Sequence, residues 1–357
     1  PSGYLAMCTN NLTDSAVTPG QHFNTVLYSG NGSTQSITGV GFAPDFVWIK
    51  KRAGGTARNH ILTDAVRGAT VCLSTSLADG DFTNTSGLTA FGTDGFSLGS
   101  YDSVNESGGT YVAWCWKANG AGSQNTSGSI NTTATSANTA AGFSIITYTG
   151  NGTSGATIGH GLSKAPEFIT IKRRNSGGDD WNTYYGDNTD QLKLNSTSAT
   201  ADNDAIWNDT SPTSTLITLG NHAEVNNNND TFIAYAWHSV DGYSKIGTYT
   251  GNGNGDNGLG PFIYTGFRPK FLLVKKVTNT ADWHIFDAAR DTDNDVKEYL
   301  KANSTAAEAT SSANATIFDF TSNGFKLRGS SGDVNGNNET YLYMAFAETQ
   351  QKYANAR

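Results

Sequence analysis

Charge, sulfur and long apolar runs are all scarce in this chain, and each shortage excludes something. Only 15% of its 357 residues are charged, and the net charge is −8. No Lys/Arg stripe is present to neutralise phosphates, so nucleic acid is not expected as a partner. No stretch reaches the roughly 20 apolar residues of a membrane span, so membrane insertion is not expected either. The opening residues lack the basic and apolar regions of a secretory signal. The three cysteines, Cys8, Cys72 and Cys115, cannot all pair within one chain, and their spacing fits neither a disulfide framework nor a zinc site. Low hydrophobicity with 41 glycines would suggest disorder. However, 17 Phe, 15 Tyr and 7 Trp supply core area that disordered chains lack. Short strands joined by many turns fit both facts.

The sequence repeats itself three times. The segment "YSGNG" at Tyr28 returns as "YTGNG" at Tyr148 and at Tyr249. A proline-led apolar run follows each copy: "PDFVWIKKR" at Pro44, "PEFITIKRR" at Pro166 and "PKFLLVKKV" at Pro269. In all three a lysine lies six positions after the proline, at Lys50, Lys172 and Lys275. Each copy closes on "TYVAWCW" at Thr110, "TFIAYAW" at Thr231 or "TYLYMAF" at Thr340. A weaker echo links "DWNTYYGD" at Asp180, "DWHIFDAAR" at Asp282 and "RNHILTDAVR" at Arg58. The tyrosine-to-tyrosine spacings are 120 and 101 residues, which is domain size rather than solenoid size. "Y[ST]GNG" reads as a structural joint, because Asn and Gly tolerate the positive φ that tight turns need.

In "YVAWCW" the residues Tyr111, Ala113 and Cys115 alternate with Val112, Trp114 and Trp116, and both sets are apolar. Both faces are therefore expected to be covered, as in a central strand. The fold class that follows is all-β, with tandem antiparallel β-sandwich units of jelly-roll or lectin-like type. The expected organisation is an N-terminal attachment segment (1–21), repeat 1 (22–118), a Gly/Ser/Thr/Asn-rich linker (119–142), repeat 2 (143–240) and repeat 3 (241–357). A turn or two of helix is expected near Asp295, where Val296, Tyr299 and Leu300 fall at i, i+3, i+4.

Motifs with chemical meaning are few. The six histidines lack metal-ligand spacing, and no nucleophile elbow, phosphate-cradling loop or cofactor fingerprint is present. Asp291, Asp293 and Asp295 start like a calcium loop, but Val296 and Ala302 stand where its Gly and Glu belong. No catalytic, cofactor or metal residues are assigned. Tryptophans are the remaining candidates, because flat rings stack on the apolar faces of sugars. Trp48, Trp114, Trp116 and Trp237 lie in core-like runs, whereas Trp181, Trp207 and Trp283 lie in polar surroundings. These last three are the candidate ligand-binding residues.

Longer strings resemble a family of bacteriophage virion proteins widespread in marine phages, including those of cyanobacteria. They are "YVAWCWKANG" at Tyr111, "WHSVDGYSKIGTYTGNG" at Trp237, "GPFIYTGFRPKFLLVKK" at Gly260, "SNGFKLR" at Ser322 and "YLYMAFAETQQKYANAR" at Tyr341. The resemblance runs from about His22 onward and carries no catalytic residues to transfer. It implies a non-enzymatic structural protein at the virion surface, with tail fibre or adhesin as the first expectation. A head decoration protein is the alternative, and a polysaccharide depolymerase a more distant one. The implied partners are other virion proteins and a host surface glycan or outer-membrane protein, with homotrimer formation expected by analogy.

Overall fold

The computed structural model describes residues 17–255, 259–312 and 316–348. Most of the expected attachment segment, and Cys8 with it, lies outside the described residues. The fold is all-β, made of antiparallel sheets packed face to face. In unit 1 a six-stranded sheet has the order Phe23–Ser29, Thr110–Trp116, Phe46–Ala53, Ile61–Asp64, Val71–Leu73, Phe82–Thr83. A small sheet of Gln35–Thr38, Gly95–Leu98 and Leu88–Gly92 covers one of its faces. Unit 3 repeats the plan, from Ser244–Thr250 and Thr340–Ala347 to a small sheet of Phe262–Tyr264, Gly324–Leu327 and Phe318–Thr321. Unit 2 keeps the large sheet with one strand added at its edge, and its small sheet has two strands, Ala156–Gly159 and Leu216–Leu219.

That extra strand corrects the linker. Ala134–Asn138 pairs antiparallel with Phe143–Thr149, and Ile130, Thr132 and Ser136 are buried. The segment buries hydroxyls instead of large apolar groups: Thr132 Oγ1 meets Thr135 Oγ1 at 2.9 Å, and Ser136 Oγ accepts the Asn119 amide at 2.8 Å. Composition therefore hid a strand. The helix expected near Asp295 is also replaced, by strand Glu298–Lys301. There Leu300 enters the central core while Tyr299 packs against the core of unit 3. Adjacent residues facing opposite ways is period two, not 3.6.

The closing strands explain how the units combine. Tyr111, Ala113 and Cys115 pack under the small sheet of unit 1, whereas Val112, Trp114 and Trp116 enter a core shared by all three units. Ile233, Tyr235 and Trp237 come to the same place from unit 2, and Leu342, Met344 and Phe346 from unit 3. Each large sheet is thus sandwiched between its own small sheet and the other two units.

Hydrogen bonds close the arrangement into a ring. The hairpin arm of each unit reaches the next: Asp81 N–H donates to Arg174 O, Thr200 N–H to Val277 O, and Glu308 N–H to Arg52 O, at 2.8, 3.0 and 2.9 Å. The three repeated lysines hold these arms. Lys50 Nζ donates to Arg58 O and Thr305 O, Lys172 to Asp179 O and Ala78 O, and Lys275 to Ala281 O and Thr197 O. In every case one carbonyl belongs to the lysine's own unit and one to its neighbour's arm. A buried ammonium is costly unless its donors are used, which accounts for a lysine at the end of each apolar run.

The repeated "Y[ST]GNG" joint is a clamp rather than a simple hairpin turn. Its tyrosine hydroxyl donates to the carbonyl of Val104, Val225 or Val334 in a short helix. The next helix residue is a fully buried asparagine, Asn105, Asn226 or Asn335. Its Oδ1 accepts the backbone amide of the joint's Asn31, Asn151 or Asn252, each at 2.9 Å. The first glycine is required by close approach, since a Cβ on Gly150 would lie 2.4 Å from Asn227 O. The last is required by φ, which is +68° at Gly152.

Two predictions follow from these buried polar groups. Asn226→Ala removes bonds to the Thr153 and Gly220 carbonyls as well as to the Asn151 amide. It should cost about 2–3 kcal/mol, measured as a fall in urea midpoint. The second concerns pH. Burial pulls Lys50 and Lys275 down to about 8 from an ordinary 10.5. Between those values the unfolded chain binds more protons than the folded one, so these groups make stability rise with pH across that window. Above pH 10 the sign reverses, because burial holds Tyr28, Tyr148, Tyr235 and Tyr249 well above 10 while unfolded phenols ionise. Denaturation midpoints from pH 7 to 11 should pass through a maximum near pH 9–10. The rising limb should be shallower in Lys50→Met, and an unchanged limb would refute the assignment.

Candidate functional site

The tryptophans singled out by their polar surroundings do not form a surface platform. Trp181 and Trp283 are fully buried, and Trp207 is 1% exposed. Trp181 Nε1 donates to Ser74 O of unit 1, and Trp283 Nε1 donates to Lys193 O of unit 2, both at 2.9 Å. They plug the seams between units, where the neighbouring residues must be polar to make ties. His60 fills the equivalent place in unit 1. Its Nδ1 accepts from Trp48 Nε1 at 2.8 Å, so Nε2 carries the proton and donates to Lys301 O at 2.9 Å. Trp207 packs edge-on against Tyr184 inside the core of unit 2. The acidic run at Asp291 is likewise structural at its first member, whose Oδ2 accepts the amides of Lys297 and Glu298.

The three seams are not alike, and their differences locate a site. At the seam of units 1 and 2, buried Asp64 holds Arg67 Nε at 2.6 Å and accepts from the Tyr235 hydroxyl at 2.7 Å. At the seam of units 3 and 1, buried Asp287 holds Arg290 Nε at 2.6 Å and accepts from Trp114 Nε1 at 3.0 Å. Arg174–Asp81 and Arg52–Glu308 ion pairs reinforce these two seams at their rims, at 2.6 and 2.7 Å. At the seam of units 2 and 3 the equivalents are Tyr185 for the aspartate, Asn188 for the arginine and Met344 for the ring donor. The rim pair is replaced by Thr200 and Val277.

Where those ties are missing, a cleft of about 670 Å³ opens. Unit 2 contributes Lys164, Glu167, Tyr184, Tyr185, Asp187 and prolines Pro166 and Pro212; unit 3 contributes Ile246, Gly247 and Thr248. The unit 3 residues lie on the edge strand Ser244–Thr250, whose counterpart in unit 2 is covered by Ala134–Asn138. Ile246 N–H turns away from the sheet to Ser239 Oγ at 3.0 Å. Alternation along an antiparallel strand then points the Thr248 amide outward on the same side. Tyr185 donates to Asp190 at 3.1 Å, and burial together with that carboxylate holds its phenol far above its ordinary value. Glu167 accepts the Ser239 amide at 2.5 Å. The lining is therefore mixed: two rings, both signs of charge and exposed backbone, a composition suited to holding a polar ligand. Sequence reasoning missed it because the signal is a difference between copies at Tyr185, Asn188 and Met344, and not a motif within one.

A family model described as a domain of unknown function, DUF7483, matches residues 18–350. No curated protein and no solved structure matches the chain.

The asymmetry of the seams has a measurable consequence. The arm of unit 2, residues 190–202, should exchange its amide hydrogens faster than the arms of unit 1 (71–83) and unit 3 (298–310), because its seam lacks buried ion pairs. Equal protection in all three arms would remove the distinction drawn here.

Proposed function

We propose, for a chain that belongs to the DUF7483 family, the role of a non-enzymatic virion surface protein that attaches to the host cell. The family resemblance of its repeat motifs is the source of the virion assignment. The observation that carries the attachment role is the division of labour among side chains. Buried acids and lysines are consumed in ties within and between units, and the outward parts are Asn/Ser/Thr/Gly-rich loops and a mixed cleft between units 2 and 3. Such loops on a rigid frame give adaptable hydrogen bonds for recognition, and Tyr184 and Tyr185 add rings at the cleft. The ring supplies within one chain the closure that many surface appendages obtain from three.

Binding of labelled recombinant chain to marine bacterial cells, with phage adsorption as competitor, tests this reading. Saturable binding that excess protein blocks supports attachment. Folded chain that binds no strain, combined with tens to hundreds of copies per particle, moves the role to head decoration.

The cleft favours one second reading, a polysaccharide depolymerase, because Glu167 and Asp187 both line it beside two tyrosines. Glycoside cleavage uses a carboxyl pair. That reading requires release of reducing ends from host glycan, abolished in both Glu167→Gln and Asp187→Asn.

A further inference from the structure

Unit 3 differs from its siblings on the outer face of its small sheet. Alignment by strand register puts Phe262 where unit 1 has Ser36 and unit 2 has Thr157, and Tyr264 where they have Thr38 and Gly159. The residue between them, which faces the core, is isoleucine in all three: Ile37, Ile158 and Ile263. The fold needs the isoleucine and does not need the rings. Yet Phe262 is 46% exposed and Tyr264 is 64% exposed, with Leu259 nearby in sequence at 61%. Two exposed rings acquired by one copy alone call for a ligand rather than a packing role.

The rings form a platform. Residues i and i+2 share one face of a strand, about 7 Å apart. Phe262 leans across the sheet, because a Cβ on Gly324 would lie 2.9 Å from its ring. Polar groups surround them. Lys326 lies directly across from Phe262 and donates to Gly260 O at 2.8 Å. Asp319 pairs with Lys326 across the next strand and holds Arg328 at 3.1 Å.

We propose that this face binds a polysaccharide chain, the rings stacking on the C–H faces of successive sugars while Lys326 and the Asp319–Arg328 pair meet their hydroxyls. Three protruding side chains are too few for the roughly 800 Å² per partner of a stable protein interface. A lipid surface is disfavoured by the net charge of −8. A saccharide matches the pattern, with an apolar face and a polar rim at the scale of a few residues. The proposal rests on the attachment role, and it names the surface and ligand class for it.

The test uses the full chain and Phe262→Ser/Tyr264→Thr, which installs the residues unit 1 already carries on the same scaffold. Phe262→Thr, the choice of unit 2, serves if the double variant fails to fold. Delipidated polysaccharide from Gram-negative lipopolysaccharide and a neutral β-glucan are immobilised, and binding is read by interferometry. At least one polymer should bind, and the variant should lose about tenfold or more in affinity with its melting curve unchanged. Failure of the wild-type chain to bind either polymer, or full retention by the variant, overturns the proposal. Self-association of the wild-type chain that the variant loses also overturns it, assigning the face to a second copy. Cell adhesion measured in parallel separates the two claims: a variant that adheres normally leaves the attachment role standing, whereas a wild-type chain that never adheres removes that role itself.

Discussion

The structure depends on one constraint: every large sheet is apolar on both faces. A sandwich with its own small sheet hides only one of them. The other, bearing Trp114 and Trp116, Tyr235 and Trp237, or Met344 and Phe346, would face water if a unit stood alone. Large aromatic surface of that kind dominates core energetics, so the units must meet, and three of them meet around one axis. Close packing there is nearly complete, with a void of only about 20 Å³ lined by rings and aliphatic chains. The exposed lining is apolar throughout, so a water there would find no hydrogen-bond partner and the space stays dry.

A shared apolar core has little directional preference, so register between units comes from the polar seams. Arm amides on neighbouring carbonyls, buried lysines bridging two units and tryptophans capped by a neighbour's carbonyl all fix relative position. These groups are costly to leave unpaired. A slip of one unit against another would therefore break several bonds at once, which turns a greasy contact into a specific one. The same reasoning explains the weaker seam of units 2 and 3, where tyrosine and methionine replace an ionic pair and its ring donor. Packing persists there, but the rim opens into the cleft.

Much of this was legible in the sequence, and the parts that were not share a cause. The two-faced alternation of "YVAWCW" gave the covered sheet, and the "Y[ST]GNG" repeats gave three units, because both are local patterns. The strand Ala134–Asn138 was illegible because it buries hydroxyls bonded to each other, and composition reads Thr and Ser as solvent-facing. Trp181 and Trp283 misled in the same way. Their polar neighbours, Asp180 and Asp282, pair with Lys193 and Lys301 at 2.6 Å, so polarity marked a seam and not a surface. The cleft and the Phe262–Tyr264 face stayed hidden although parts of both fall inside the repeated strings, because motif reading looks for what the copies share and these features are where the copies differ. Both appear once register allows the copies to be compared position by position.

That comparison bears on why three units share a chain. In a homotrimer every substitution occurs three times, so a seam cannot be loosened or a face made aromatic without loosening or exposing all three. In a single chain the copies vary independently while the ring stays closed. Units 1 and 2 keep Ser, Thr and Gly on the outer face, holding exposed apolar area low, and unit 3 alone carries the rings. The seams of unit 1 keep both buried aspartate–arginine pairs, and the third seam alone gives them up. The exposed rings and the loosened seam are thus confined to particular places in the ring, while the buried Asp64–Arg67 and Asp287–Arg290 pairs hold the two seams of unit 1.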